Sequence, residues 1–63
     1  MIVKSKSDFA DKIKSDLAIE EESIDGYEAT IAIANDKYKA VLTEILNDEK
    51  DHAKKLKKIL EGI

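Results

Sequence analysis

Cysteine, proline, arginine and tryptophan are all missing from this sequence, and glycine occurs only twice in 63 residues. Without cysteine there can be no disulfide, no thiolate metal site and no thiol nucleophile. Without proline, nothing in the chain enforces a helix break. No apolar run approaches the ~18 residues of a membrane span, and Met1-Ile2-Val3-Lys4 is too short for the core of a signal peptide, so a soluble, cytoplasmic protein without a membrane partner is expected. The bases are all lysine, 11 of them against 14 acids for a net charge of −3, and they form no basic face of the kind that binds nucleic acid. What is abundant is charge (40%) together with hydrophobic residues (43%), a mixture that favours long amphipathic helices. Below about 70–80 residues a lone core seldom gives enough stability without a disulfide, a metal or a partner. With disulfides excluded, a metal, a partner or both are expected.

From Ala10, the residues Ile13, Leu17, Glu20, Ile24, Tyr27, Ile31 and Ala34 follow alternating steps of three and four, the seam of a helix buried along one stripe. Ser5 or Ser7 can cap its start, with Asp8 in the first turn. Asn35-Asp36 supplies the break, with Asn35 in a left-handed C′ conformation and Asp36 as the next N-cap. The first helix is therefore expected over about 8–34. The pattern restarts at Tyr38 and continues through Leu42, Ile45, Glu49, His52, Leu56, Ile59 and Ile63, with Val41, Leu46, Ala53 and Leu60 widening the apolar face. Gly62 is a natural stop, so the second helix is expected over about 37–61. Two helices of matching length, about 37–40 Å at 1.5 Å per residue, joined by a tight turn make an antiparallel hairpin. The fold class is all-α and the chain is a single domain. Asp16, Glu21, Glu22, Asp25 and Glu28 make the first helix acidic, whereas Lys50, Lys54, Lys55, Lys57 and Lys58 make the late second helix basic. Such charges form a solvated face with some interhelical ion pairs.

Of the sixteen seam positions, Glu20, Glu49 and His52 alone are ionisable near neutral pH. Burying an unpaired carboxylate is costly, so each of them needs a compensating partner. With the turn centred between Asn35 and Asp36, residues whose numbers add up to about 71 lie side by side, and Glu20 falls level with Glu49 and His52. The Glu-x-x-His spacing sets both side chains of the second helix on one face, about 5–6 Å apart at Cβ, which suits metal coordination. One hairpin offers two carboxylates and one imidazole, too few groups to close a site. Two hairpins related by a two-fold axis supply four Glu and two His around a pair of ions. The ligands lie near the midpoints of their helices, so hairpins with turns at opposite ends still align them. A homodimer or higher even oligomer, closing into a four-helix bundle, is the expected assembly.

An oxygen-rich, sulfur-free donor set with some nitrogen favours Fe(II) or Mn(II), with Zn(II) and Co(II) as occupants in vitro. Asp48 could accept the other ring N–H of a histidine in the partner chain, and Tyr27 could bond a ligand carboxylate. Tyr27 also reads equally well as an ordinary amphipathic core residue. Taken singly, a seam histidine is usually a satisfied core residue and a seam glutamate a register device; the convergence of three at one height favours a metal site.

The stretch Ile19-Glu20-Glu21-Glu22-Ser23-Ile24-Asp25-Gly26-Tyr27 carries a Glu followed seven residues later by Tyr, and Asp48-Glu49-Lys50-Asp51-His52 carries Asp-Glu-x-x-His. Over about residues 10–60 the chain thereby resembles the ferritin-like superfamily, most closely the rubrerythrin and bacterioferritin type of di-iron helix pair. The resemblance implies Glu20 as a terminal carboxylate, Glu49 as a bridging one, His52 as the nitrogen ligand, and Tyr27 and Asp48 as their supports. It implies two Fe ions per dimer, with Mn or Zn as alternatives, and ferroxidase, oxidase or peroxide-scavenging activity. Two helices rather than four make the chain similar to half-bundle forms such as encapsulated ferritins, which build the site across a dimer. The alternative is a metal-stapled structural or adaptor dimer without catalysis; a metal-free hairpin with a buried Glu–His network is a third reading.

Overall fold

The computed structural model describes residues 6–63 as two helices, α1 (Lys6–Ile33) and α2 (Asp36–Glu61), packed as an antiparallel hairpin with extents of 47 × 20 × 14 Å. There is no strand among the described residues, and no helix there is long and apolar enough to cross a membrane. Ser5, one of the two expected caps, and the Met1-Ile2-Val3-Lys4 segment lie outside the described residues. Ser7, the other expected cap, is already inside α1, which is helical from Lys6 rather than from about Asp8.

The turn differs from expectation in its mechanism. Asn35 has φ −66° and ψ 149°, an extended N-cap conformation, and no non-glycine residue among those described has positive φ. Asn35 therefore caps α2 itself, and Asp36 is the first helical residue. The Asn35 carbonyl accepts bonds from the Tyr38 and Lys39 amides at 2.9 and 3.2 Å, while the Ala34 amide donates to Ile31 at 3.2 Å and tightens the last turn of α1. Two residues suffice to reverse the chain, and no left-handed residue is needed. At the far end the Gly62 amide donates to the Ile59 and Lys58 carbonyls at 3.1 and 3.3 Å and closes α2.

The α1 seam is arranged as its spacing predicts: Ile13 is buried, and Ala10, Leu17, Glu20, Ile24, Tyr27, Ile31 and Ala34 are half-buried against α2. In α2 the inward stripe is rotated. Leu46 and Ala53 are the buried residues, flanked by half-buried Leu42, Glu49, Leu56 and Leu60, whereas the expected seam members Tyr38, His52, Ile59 and Ile63 are exposed. One neighbouring helix covers only part of an apolar arc this broad. Of the positions that widened the face in sequence, Leu46, Ala53 and Leu60 thus face α1, together with Leu42, Glu49 and Leu56 of the seam, whereas Val41 is exposed. Interhelical ion pairs join Lys50 to Glu28 at 3.9 Å and Lys57 to Glu21 at 3.7 Å, all half-exposed and each contributing little.

Candidate metal centre

Glu20 projects from the middle of α1, and Glu49 and His52 from successive turns of α2. Each offers one ligand atom, and the three atoms lie within 4.8 Å of one another. The His52 Nδ1 atom is 3.8 Å from Glu20 Oε2 and 3.8 Å from Glu49 Oε1. These distances exceed hydrogen-bond length. They match donors on a common ion, since two ligands with bonds of about 2.1 Å can lie up to about 4.2 Å apart. The two carboxylates are 24% and 21% exposed and the imidazole 54%, so the acids sit between the helices and the histidine stands at the edge.

Two features mark the group as unsatisfied within one chain. Glu20 Oε2 is buried with no hydrogen-bond partner. The Glu49 carboxyl is held above its ordinary value, chiefly because the facing Glu20 carboxyl favours a proton shared between them; desolvation and the Glu20 charge push the same way, and His52 opposes them. A cation placed among the three would satisfy the orphaned oxygen and relieve the repulsion, so the donor set fits a metal in its chemistry. One chain brings two carboxylates and one imidazole to it.

Asp16, Ile19, Glu20, His52, Lys55 and Leu56 line a cavity of about 380 Å³ beside the group. Sequence reading took Asp16 and Lys55 only as surface charges, although the signal was there: Asp16 lies one turn before Glu20 and Lys55 one turn after His52. The structure does not bring the two expected supports onto the group within one chain. Tyr27 is half-buried on α1 and lines a shallow hollow with Ser23, Gly26 and Thr30. Asp48 is exposed, and its charge is felt weakly at Glu49. No family model matches the sequence, and neither a curated protein nor a solved structure is significantly similar to it.

Proposed function

We propose that this chain is a di-metal carboxylate protein that binds two Fe ions, or two Mn ions, across a homodimer and supports ferroxidase, oxidase or peroxide-scavenging redox chemistry. The observation that carries this reading is the meeting of Glu20, Glu49 and His52 within 4.8 Å around a buried, partnerless carboxylate oxygen. The resemblance of Glu-x6-Tyr and Asp-Glu-x-x-His to the ferritin-like pattern supports the choice of iron and the half-bundle arrangement. Glu20 and Glu49 would supply oxygens and His52 a nitrogen from each chain, giving four carboxylates and two imidazoles in the dimer. Bound iron would supply one-electron chemistry toward O₂ or peroxide. The Glu49 carboxyl, raised above its ordinary range chiefly by the facing Glu20 carboxyl, would bind protons in competition with a cation. Ile19 and Leu56 give the neighbouring cavity apolar lining beside the ligands.

Anaerobic titration with Fe(II), followed by metal analysis and mass measurement on one sample, tests binding. One iron per chain in an even-numbered oligomer is the expected result. Exposure to O₂ should then consume Fe(II) faster than in buffer, as read by a ferrous chelator, and equal rates would remove the redox part.

A second reading, a metal-stapled structural or adaptor dimer, is favoured by one observation: Ile13, Leu46 and Ala53 are the whole of the buried core among the described residues. A hairpin so thinly buried gains much from a staple. On that reading chelation lowers the melting temperature sharply, while the iron-loaded protein shows no oxidase activity.

A further inference from the structure

Among the described residues, the large apolar side chains left exposed are Phe9, Ile19, Ile33, Tyr38, Val41, Ile59 and Ile63. They are not scattered. In α1, Phe9, Ile19 and Ile33 belong to a heptad stripe that also holds Lys12, Asp16, Ser23, Gly26 and Thr30, and that runs one residue behind the inner seam. In α2, Tyr38, Val41, Ile45, Asp48, His52, Lys55, Ile59 and Gly62 likewise run one residue behind the inner stripe. A step back of one residue turns about 100° around a helix, and in antiparallel helices the two turns are toward the same side of the hairpin. The cavities agree: Ile19 shares one with His52 and Lys55, and Ile33 shares another with Tyr38 and Val41. One broad side of the hairpin therefore carries both stripes, with His52 on it.

We infer that this face receives a second copy of the chain with its turn at the opposite end, α1 lying on α1 and α2 on α2, in one residue-specific register; the inference rests on the shared-site reading above. A two-fold axis that lies in the face and runs across the hairpin sets like helices on each other in antiparallel pairs. Along α1, positions whose numbers add up to 42 then meet: Phe9 with Ile33, Lys12 with Thr30, Asp16 with Gly26, and Ile19 with Ser23. Large residues meet small ones in the middle, and the two bulky apolar residues meet at the ends. Along α2, positions adding up to 100 meet: Tyr38 with Gly62 beside Ile63, Val41 with Ile59, Ile45 with Lys55, and Asp48 with His52.

One axis acting on a rigid hairpin must serve both registers, and these two share a single level. Position 21 of α1 and position 50 of α2 are both about 22 Å from the turn at 1.5 Å per residue, which is the level of Glu20, Glu49 and His52. The exposed large apolar residues named above thereby lie on or beside the covered stripes. The face, 47 × 20 Å, is large enough for the roughly 800 Å² per partner that a stable interface buries. A cation–π contact of Lys37 over the Tyr38 ring at 5.4 Å already borders the turn end of this face. Asp48 of each copy becomes the positioning residue for His52 of the other, accepting the ring N–H that faces away from the carboxylates.

The chain has no cysteine, so engineered pairs report the register cleanly. A Val41→Cys, Ile59→Cys chain, oxidised mildly with a chelator present, should give a covalent dimer of twice the chain mass. Val41→Cys alone should not, because its copies would lie about 27 Å apart along the bundle at 1.5 Å per residue, far beyond disulfide reach. Cross-linking of the single variant, or none of the double variant, overturns the register. Val41→Lys should halve the native mass, and adding Ile59→Glu in the same chain should restore it, since these positions can meet only between copies. Failure of that rescue also overturns the register. If the cross-link forms but no iron is taken up, the register stands and the metal reading falls; iron uptake without the cross-link gives the converse.

Discussion

Replacing Glu20 with Gln should move the metal-free and metal-loaded proteins in opposite directions. In the metal-free chain Glu20 Oε2 is buried and partnerless, facing Glu49 across the helix interface. An unsatisfied buried polar atom costs about 1–3 kcal/mol. With 24% of the side chain still exposed, the lower end applies, about 1 kcal/mol. Glutamine keeps the shape, removes one of two facing negative charges and brings an amide that can donate to Glu49. The metal-free variant should therefore melt higher, by roughly 4–8 °C for each kcal/mol in a domain this small. With metal present the same change removes a ligand. Loss of a ligand's support alone typically weakens binding about 10–100-fold, so a lost ligand should cost at least about 100-fold. At a metal concentration of about 100 times the wild-type Kd, the stabilisation from metal falls from about 2.7 to about 0.4 kcal/mol. Circular-dichroism melts of both proteins, at one protein concentration, with chelator and with Mn(II), read both effects. A variant that melts lower without metal, or that keeps the full metal-induced shift, refutes the assignment of Glu20 as an unsatisfied ligand.

Three further outcomes follow from the same geometry. Leu46 is one of the three buried core residues among those described, and Leu46→Ala should cost about 2–5 kcal/mol, comparable to the whole stability of a core this small, so the far-ultraviolet helical signal at 25 °C should collapse without metal. A Cβ added at Gly26 would meet nothing within 4 Å in the single chain, and the carbonyl that accepts the Thr30 hydroxyl at 2.9 Å is untouched by the change; in the monomeric Val41→Lys background, Gly26→Ala should therefore stabilise α1 by about 1 kcal/mol in denaturant titrations. The Glu49 carboxyl is raised above its ordinary 4.5, so the folded, metal-free chain holds that proton more tightly than the unfolded chain does. Its contribution to stability is full below 4.5 and is lost as pH rises through the raised value, while metal affinity rises over the same window. Paired melts and metal titrations across that range should show the two curves running in opposite senses.

The helices and the facing of α1 were legible because the signals were redundant: the eight seam positions of α1, a polar turn and a terminal glycine all agreed, whereas four of the eight expected for α2 are exposed. The meeting of Glu20 with Glu49 and His52 was legible for a related reason. Once two helices are joined by a two-residue turn, equal distance from that turn fixes equal height, and heptad position fixes facing. The local chemistry of the turn was not legible. Asparagine is favoured both as a left-handed C′ residue and as an N-cap, and sequence offers nothing to choose between them until the direction of the chain after it is known.

The exposure of His52 points further. Reading α2 as a single stripe placed His52, Ile59 and Tyr38 beside Leu56 and Glu49, whereas the hairpin turns Leu46 and Ala53 inward and leaves the former at the edge. An arc holding Leu46, Ala53, Leu42, Leu56, Ile45, Val41 and Ile59 is wider than one partner helix can cover. A sequence read for one buried face averages two faces into one. What separates them is the one-residue offset between Leu42, Leu46, Glu49 and Ala53 on one side and Val41, Ile45, Asp48 and His52 on the other. The carboxylates fall on the first stripe and the imidazole on the second. The ligand group therefore straddles the boundary between the contact made within the chain and the face still open, and a second copy laid on that face would enclose it.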